Sequence, residues 1–350
     1  MNNWTPLHAR LHQILRDRQL LPPQTRLLVA VSGGQDSICL LKLLLDLQSK
    51  WGWQLAAVHC DHCWRDDSTA NAEFVGQLAK DWQLSFYLET APEVYASEAA
   101  ARKWRYEVMG GIALAHDYSY IVTGHTASDR AETLLYNLFR GSGADGLSSL
   151  VWSRPFDVSS AGTANAGTGN AGTGNSRVLR LVRPLLEFSR AETGLFCEEQ
   201  NLPIWEDSTN TNLRYARNRI RLELLPYLQA NFNPKVEFNL AKTAELLGAE
   251  VEYLEAAARD LLTEAMSVEN FKYVNRLILR KAPLALQRRA MRMWLQEQLF
   301  INPNFETVEK LTALINAPNR SQTDPFPGGA IARVEHPFIL LENHKLPLNN

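Results

Sequence analysis

Between residues 26 and 141 short apolar runs alternate with longer amphipathic ones, and no other feature of the chain constrains its fold as strongly. RLLVAVS (26–32) reads as a buried strand, followed by a helix over DSICLLKLLLDLQSK (36–50), whose apolar residues recur at three and four spacing. WQLAAVH (53–59), LSFYLE (84–89) and YSYIVTG (118–124) repeat the strand pattern. Each is followed in turn by a helical run: DDSTANAEFVGQLAKDWQ (66–83), SEAAARKWRYEVMGGIALAHD (97–117) and SDRAETLLYNLFRG (128–141). Regular strand–helix succession requires right-handed crossovers, and so predicts an α/β fold with a doubly wound, mostly parallel sheet covered on both faces. Such sheets bind their ligands at the carboxyl ends of the strands.

After residue 150 the alternation stops. SSAGTANAGTGNAGTGNS (159–176) contains a tandem AGTGN unit, too small and polar to bury a core, and reads as a flexible surface insertion. Its removal over 162–174 is expected to leave activity nearly unchanged. An arginine-rich segment (177–225) follows, then helical patterns beyond Pro234 and a strand-like AIARVEHPFILLE (330–342). A chain of 350 residues exceeds what one core usually serves. The expectation is therefore an α/β domain over 1–215 carrying the insertion, and a smaller, mainly helical domain over 216–350.

With 36 basic against 38 acidic residues the net charge is -2, so a nucleic-acid partner would have to meet a local basic patch. Four cysteines make no disulfide framework, the first residues have no signal-peptide core, and no apolar run approaches the roughly 20 residues that cross a bilayer. A cytoplasmic, reduced protein without membrane insertion is expected.

AVSGGQDS (30–37) carries the most specific chemistry. A buried strand ends in Ser32, Gly33 and Gly34 allow a tight turn and close approach of the backbone to a ligand, and Gln35, Asp36 and Ser37 open a helix. Backbone N–H groups at a helix start make an anion site suited to phosphate. No lysine follows the glycines, so this is not the loop that grips a γ-phosphate in P-loop enzymes. Asp36 would repel phosphate unless a cation stood between them, which points to Mg²⁺ held by Asp36.

SGGQDS resembles the motif of the PP-loop ATP pyrophosphatases. HCDHCWR (59–65), AAARKWRYE (99–107), GHTASDRAETLLYNLFRGSGADGLSSL (124–150), RPLLEFSRAE (183–192) and WEDSTNTNLRYARNRIRLELLPYL (205–228) follow in order. Together they resemble the tRNA(Ile)-lysidine synthetase family over roughly residues 24–230. The resemblance implies a PP-loop catalytic domain, of the adenine nucleotide α-hydrolase-like fold, with a carboxyl-terminal domain that contacts tRNA. It also implies ATP and Mg²⁺ as cofactors, with L-lysine and a tRNA(Ile) bearing a CAU anticodon as partners; a homodimer is one assembly left open. The implied reaction adenylates C2 of the wobble cytidine and then ligates free lysine there, releasing AMP and pyrophosphate.

On that resemblance the catalytic residues are Asp36, Asp129, Glu132 and Arg105. The ATP site comprises Ser32, Gly33, Gly34, Gln35, Asp36, Ser37, His59, Asp61 and His125. Arg65, Arg102, Tyr106, Arg140, Arg217, Asn218, Arg219 and Arg221 bind lysine or tRNA. Physical considerations bear on several. Asp129 and Glu132, three apart on a helix, share a face. They either hold the lysine ammonium or a metal, or form a solvated face. Arg102 and Arg105 likewise sit three apart, for substrate contact or as a basic surface. Arg217, Arg219 and Arg221 form the densest basic cluster, suited to RNA phosphates and bases, or to pairing with Glu206 and Asp207.

Two rivals are a PP-loop tRNA thiolase and a non-catalytic RNA-binding protein. The thiolase needs more cysteines than one CxxC pair at Cys60 and Cys63 beside the distant Cys39 and Cys197. HCDHCWR itself packs five zinc-ligand types together, but adjacent strand residues point to opposite faces and cannot all reach one ion. The segment is better read as a wall of the nucleotide site, with His59, Asp61, His62 and Arg65 as its informative members.

Overall fold

The computed structural model describes residues 4–156, 178–206, 211–268 and 270–343; the AGTGN tract and Asp207 lie outside the described residues. Chain packing divides the protein into two units, residues 1–248 and 249–350.

In the first unit the elements run α1 (Pro6–Asp17), β1 (Arg26–Ala30), α2 (Gln35–Trp51), β2 (Gln54–Asp61), α3 (Ser68–Asp81), β3 (Ser85–Thr90), α4 (Glu98–Ala115), β4 (Tyr120–Thr123) and α5 (Ala127–Phe139). They continue as α6 (Ala144–Leu147), β5 (Ser153–Pro155), β6 (Arg180–Val182), α7 (Arg190–Glu199), α8 (Ala216–Arg219), a π-helical turn (Ile220–Leu224), α9 (Leu225–Asn231) and the start of α10 (Val236–Ala265). The sheet order is β3-β2-β1-β4-β6-β5, parallel except for β5, which runs antiparallel to β6. The strand pleat explains the two-faced cover. Leu27 and Val29 of β1 join one core with α1, α2, α3 and α7, whereas Leu28 joins a second core with Tyr106, Met109 and Ala113 of α4. Apolar residues on consecutive positions of a strand thus have two cores to fill, which is why these strands read as continuous apolar runs.

The expected boundary at 215/216 falls inside this unit. Ile220, Leu225 and Ala244 pack against Leu134 and Leu135 of α5, so residues 216–248 fold onto the α/β domain. The division instead falls within the 30-residue helix α10.

The second unit contains the rest of α10, then β7 (Tyr273–Asn275), α11 (Arg276–Leu279), α12 (Leu284–Leu299), α13 (Phe305–Ala313), β8 (Ala330–Glu335) and β9 (Phe338–Asn343). The last two form an antiparallel hairpin where a strand was expected, and β7 pairs with β9. Trp294 is fully buried among Leu262, Leu279, Val334 and Ile339, and its indole N–H reaches the Phe271 carbonyl at 2.9 Å. That bond satisfies the ring's polar atom inside an apolar core.

Candidate active site

Strand order reverses between β1 and β4, and the loops leaving their carboxyl ends carry the SGGQDS and GHTASD motifs. A crevice at such a switch point is where this architecture places a nucleotide. Gly33 has φ +89°, and a Cβ there would strike the Asn71 side chain. Gly124 is equally constrained, since its Cβ would lie 2.8 Å from the Asp36 carbonyl oxygen. The turn is braced from three sides. Asn71 Nδ2 donates to the Ser32 carbonyl at 3.1 Å, the Trp205 N–H to the Gly33 carbonyl at 2.9 Å, and Ser37 Oγ to the Gly34 carbonyl at 2.8 Å. Gly34 caps the 17-residue α2, so the first-turn N–H groups of α2 face the crevice, a ready oxyanion cradle.

Asp36 lies in the first turn of α2 and accepts a hydrogen bond from Thr193 Oγ1 of α7; Arg190 Nη1 is 3.5 Å away. Burial raises its carboxyl pKa above the ordinary value; Arg190, Thr193 and Gln35 oppose this and Asp129 adds to it. Asp129 and Asp36 are therefore like charges in one low-dielectric space. Asp129 Oδ2 is committed to a capping box, accepting from the Thr126 N–H at 2.8 Å. Glu132, 3% exposed, receives both arms of Arg221: Nε to Oε1 at 2.6 Å and Nη2 to Oε2 at 2.8 Å. Burial raises the Glu132 pKa and Arg221 works against it. The shared helix face holds, but Glu132 is spent on an arginine.

Arg221 thus pairs with Glu132 and lies 3.7 Å from Asp129, an ion pairing other than the alternative one with Glu206 and Asp207. One turn earlier Arg217 lies over the Tyr136 ring at 5.6 Å, and Arg140 covers the same ring at 5.3 Å. Asn218 Nδ2 donates to the Asn212 carbonyl at 2.9 Å, while Arg219 is exposed. Of the cluster, Arg221 turns inward, Arg217 covers the half-buried Tyr136, and Arg219 is exposed, as is Tyr215.

HCDHCWR diverges as its strand geometry requires. His59 is buried and its Nδ1 lies 2.7 Å from the Val31 carbonyl, tying the end of β2 to the start of the phosphate loop. Asp61, also buried, accepts from the Cys63 N–H at 2.9 Å and shapes the turn in which Cys63 has φ +54°. His62 packs against Trp64 and Trp104, and burial together with Arg105 pushes its pKa down to about 4. Arg65 pairs with Asp67 at 3.2 Å. His59 thus braces the phosphate loop, and Asp61 braces the turn after β2.

On the β4 and β6 side, His125 bonds Thr123 Oγ1 through Nδ1 at 2.9 Å, and burial and nearby arginines push its pKa down to about 3. Arg102 and Arg105 of α4 gather near Tyr106. Motif reading missed the bracing residues Asn71, Arg190, Thr193 and Trp205. Arg190 and Trp205 lay inside quoted motifs, but only tertiary packing gives them a task.

The chain matches a family model described as the PP-loop domain over residues 4–228 and one described as the TilS substrate binding domain over 278–336. It is 60% identical to the tRNA(Ile)-lysidine synthase of Nostoc sp. over 97% of this chain and 98% of that protein. Against the tRNA(Ile)-lysidine synthase of Synechocystis sp. identity is 49% over 96% and 97%. Among solved structures, the U34-tRNA thiolase NcsA from Methanococcus maripaludis with its [4Fe-4S] cluster superposes with a TM-score of 0.54 at 14% identity, covering 69% of this chain and 78% of that one; this likeness concerns the fold alone. The chain belongs to the tRNA(Ile)-lysidine synthase family.

Proposed function

We propose that this protein uses ATP to adenylate the C2 oxygen of the wobble cytidine in a tRNA(Ile) with a CAU anticodon, and then ligates free L-lysine there. The observation that carries the reading is the placement of the phosphate loop, Asp36 and Asp129 together at the sheet's switch point, in a chain so similar to proteins of that name. The N–H groups opening α2 hold the phosphates of ATP, and the cytidine oxygen attacks the α-phosphorus, expelling pyrophosphate. The ε-amine of lysine then adds at C2, and AMP departs with the oxygen. Asp129 is suited to hold the lysine ammonium, which must lose a proton before attack because its free pKa is about 10.4. Glu132 acts one step back, through Arg221.

The residues fit a magnesium ion that arrives with ATP. Among the described residues no group of three or more His, Cys, Asp or Glu is placed to cage a metal, but Mg²⁺ ordinarily takes one or two carboxylates and completes its shell with phosphates and water. Asp36, facing the like charge of Asp129, is the carboxylate for it. When bound, the ion would screen Asp36 from the triphosphate and offset charge on the departing pyrophosphate.

Sulfur transfer fits the thiols poorly. Cys39 and Cys197 lie buried in the core; the neighbouring Cys197 and burial raise the Cys39 pKa, and burial pushes Cys60 up to about 12, so thiolates are disfavoured at Cys39 and Cys60. Mass analysis of the wobble cytidine after incubation with ATP and lysine tests the proposal; a lysine adduct is expected, and sulfur incorporation or an unmodified base would refute it. Asp36→Asn is expected to abolish ATP-dependent pyrophosphate release, whereas a pure RNA binder would show none in either form. Tying the second unit to tRNA contact is part of the same proposal, supported by the match over 278–336.

A further inference from the structure

Four guanidinium groups converge on one phenol beside the site. Arg102 of α4 lies 5.4 Å and Arg154 of β5 5.7 Å from the centroid of the Tyr106 ring, which is 4% exposed and stacks on Phe156 at 5.5 Å. Arg183, which leaves the carboxyl end of β6 and is 2% exposed, stands beside the same phenol, and Arg105 adds its field from α4. Burial alone would raise the Tyr106 pKa, yet Arg183, Arg102, Arg105 and Arg154 outweigh it and pull it down to about 7. Among the described residues, none of the four arginines pairs with a carboxylate. Arg183 Nη1 donates to the Val151 carbonyl at 2.8 Å, but its Nε is buried without a partner.

Concentrated, unneutralised positive charge is costly to maintain in a folded protein unless an anion completes it. Tyr106 and Arg183 are buried while Arg105 is exposed, so the cluster runs from the interior to solvent. ATP has its own cradle at the start of α2, after β1, whereas Arg154 and Arg183 lie past β4, on the β6 and β5 side, and Arg102 and Arg105 join them from α4. We propose that Arg102, Arg105, Arg154 and Arg183, held in place by Tyr106, form a pocket for a phosphodiester of the RNA strand adjoining the cytidine to be adenylated. Guanidinium forks match phosphate oxygens, and a phosphate gripped there would fix the register of the strand over the site. Tyr106 is a positioning residue: its ring holds Arg102 and Arg154, and its hydroxyl faces Arg183. This inference rests on the reading of the substrate as tRNA.

Its test is tRNA binding by fluorescence anisotropy across a salt series, with KM and kcat for tRNA, ATP and lysine measured in parallel. Arg154→Ala, on the sheet's outermost strand, is the main variant, because Arg183→Met at a buried position could fail to fold. Loss of one charge-assisted phosphate contact should weaken tRNA binding by about tenfold. The slope of log K against log salt should also flatten by about 0.7. Tyr106→Phe keeps the ring and should raise KM for tRNA more than it lowers kcat, with Tyr106→Leu worse. Unchanged tRNA affinity and salt slope in Arg154→Ala would overturn the proposal. So would a rise confined to the KM of ATP, which would assign the pocket to the triphosphate, or to that of lysine, which would assign it to a carboxylate. The wild-type enzyme separates the two failures: lysine incorporation with insensitive variants refutes the pocket alone, and salt-sensitive variants without lysine incorporation refute the reaction alone.

Discussion

Replacing Arg221 with methionine would leave Glu132 buried with neither of its two guanidinium hydrogen bonds. Breaking a buried pair by removing one partner costs about 3–5 kcal/mol. The Arg221 side chain is 21% exposed, so about 3 kcal/mol, the lower end, applies here. For a unit of this size that corresponds to a melting temperature lower by about 6–12 °C. A pH signature accompanies it. The folded pKa of Glu132 lies above the ordinary carboxylate value because burial outweighs Arg221, and losing Arg221 moves it higher. Between the unfolded and folded pKa the native state binds the extra proton, so stability falls as pH rises through that window and returns as pH drops. The deficit of Arg221→Met relative to wild type should therefore be widest near about pH 8 and shrink toward about pH 5. Thermal unfolding followed by circular dichroism at several pH values measures both. Arg221→Met combined with Glu132→Gln should lose less than the sum of the single variants, with a coupling of about 1–3 kcal/mol. If Arg221→Met melts like wild type but no longer binds tRNA, the pair is not an anchor and Arg221 is an RNA ligand.

Gly33→Ala combines a left-handed backbone, costing about 1–2 kcal/mol for any other L-residue, with a collision against Asn71 and a Cβ contact of 3.2 Å to Trp205. Pyrophosphate-release kinetics should show KM for ATP raised about tenfold or more; a normal KM would mean the loop does not cradle phosphate. Thr193→Val removes a donor that lowers the Asp36 pKa, so the acidic limb of the pH–rate profile should move to higher pH. A limb that stays in place would show that Asp36 does not govern it.

The strand–helix rhythm was readable because each strand up to β4 is followed by one amphipathic helix, and the observed β1 to α5 follow the expected runs closely. The three-residue strands β5 and β6 left no such trace. The domain boundary was misplaced for a different reason. Ile220, Leu225 and Ala244 read as a generic helical pattern, and only the apolar face that Leu134 and Leu135 give α5 decides where they dock. The same holds at the site. The glycines and Asp36 declare themselves through backbone chemistry, which is local. Arg217 and Arg221 look equivalent in sequence, yet helical spacing sends one to Tyr136 and the other to Glu132, one turn apart on α5. Arg154 and Arg183, separated by 29 positions, become neighbours through the antiparallel pairing of β5 and β6.

That pairing has an evolutionary consequence. The Phe156 N–H donates to the Leu179 carbonyl at 2.8 Å, closing the hairpin neck from which the AGTGN tract departs. Once a neck is tied, lengthening the sequence between its two ends is thermodynamically cheap: each doubling costs only about 0.6 kcal/mol of closure entropy. Replication slippage that adds or removes AGTGN units would thus be nearly invisible to folding. The strand bearing Arg154 is tied by its own ladder, so the tract's length can drift while the arginine beside it stays in register.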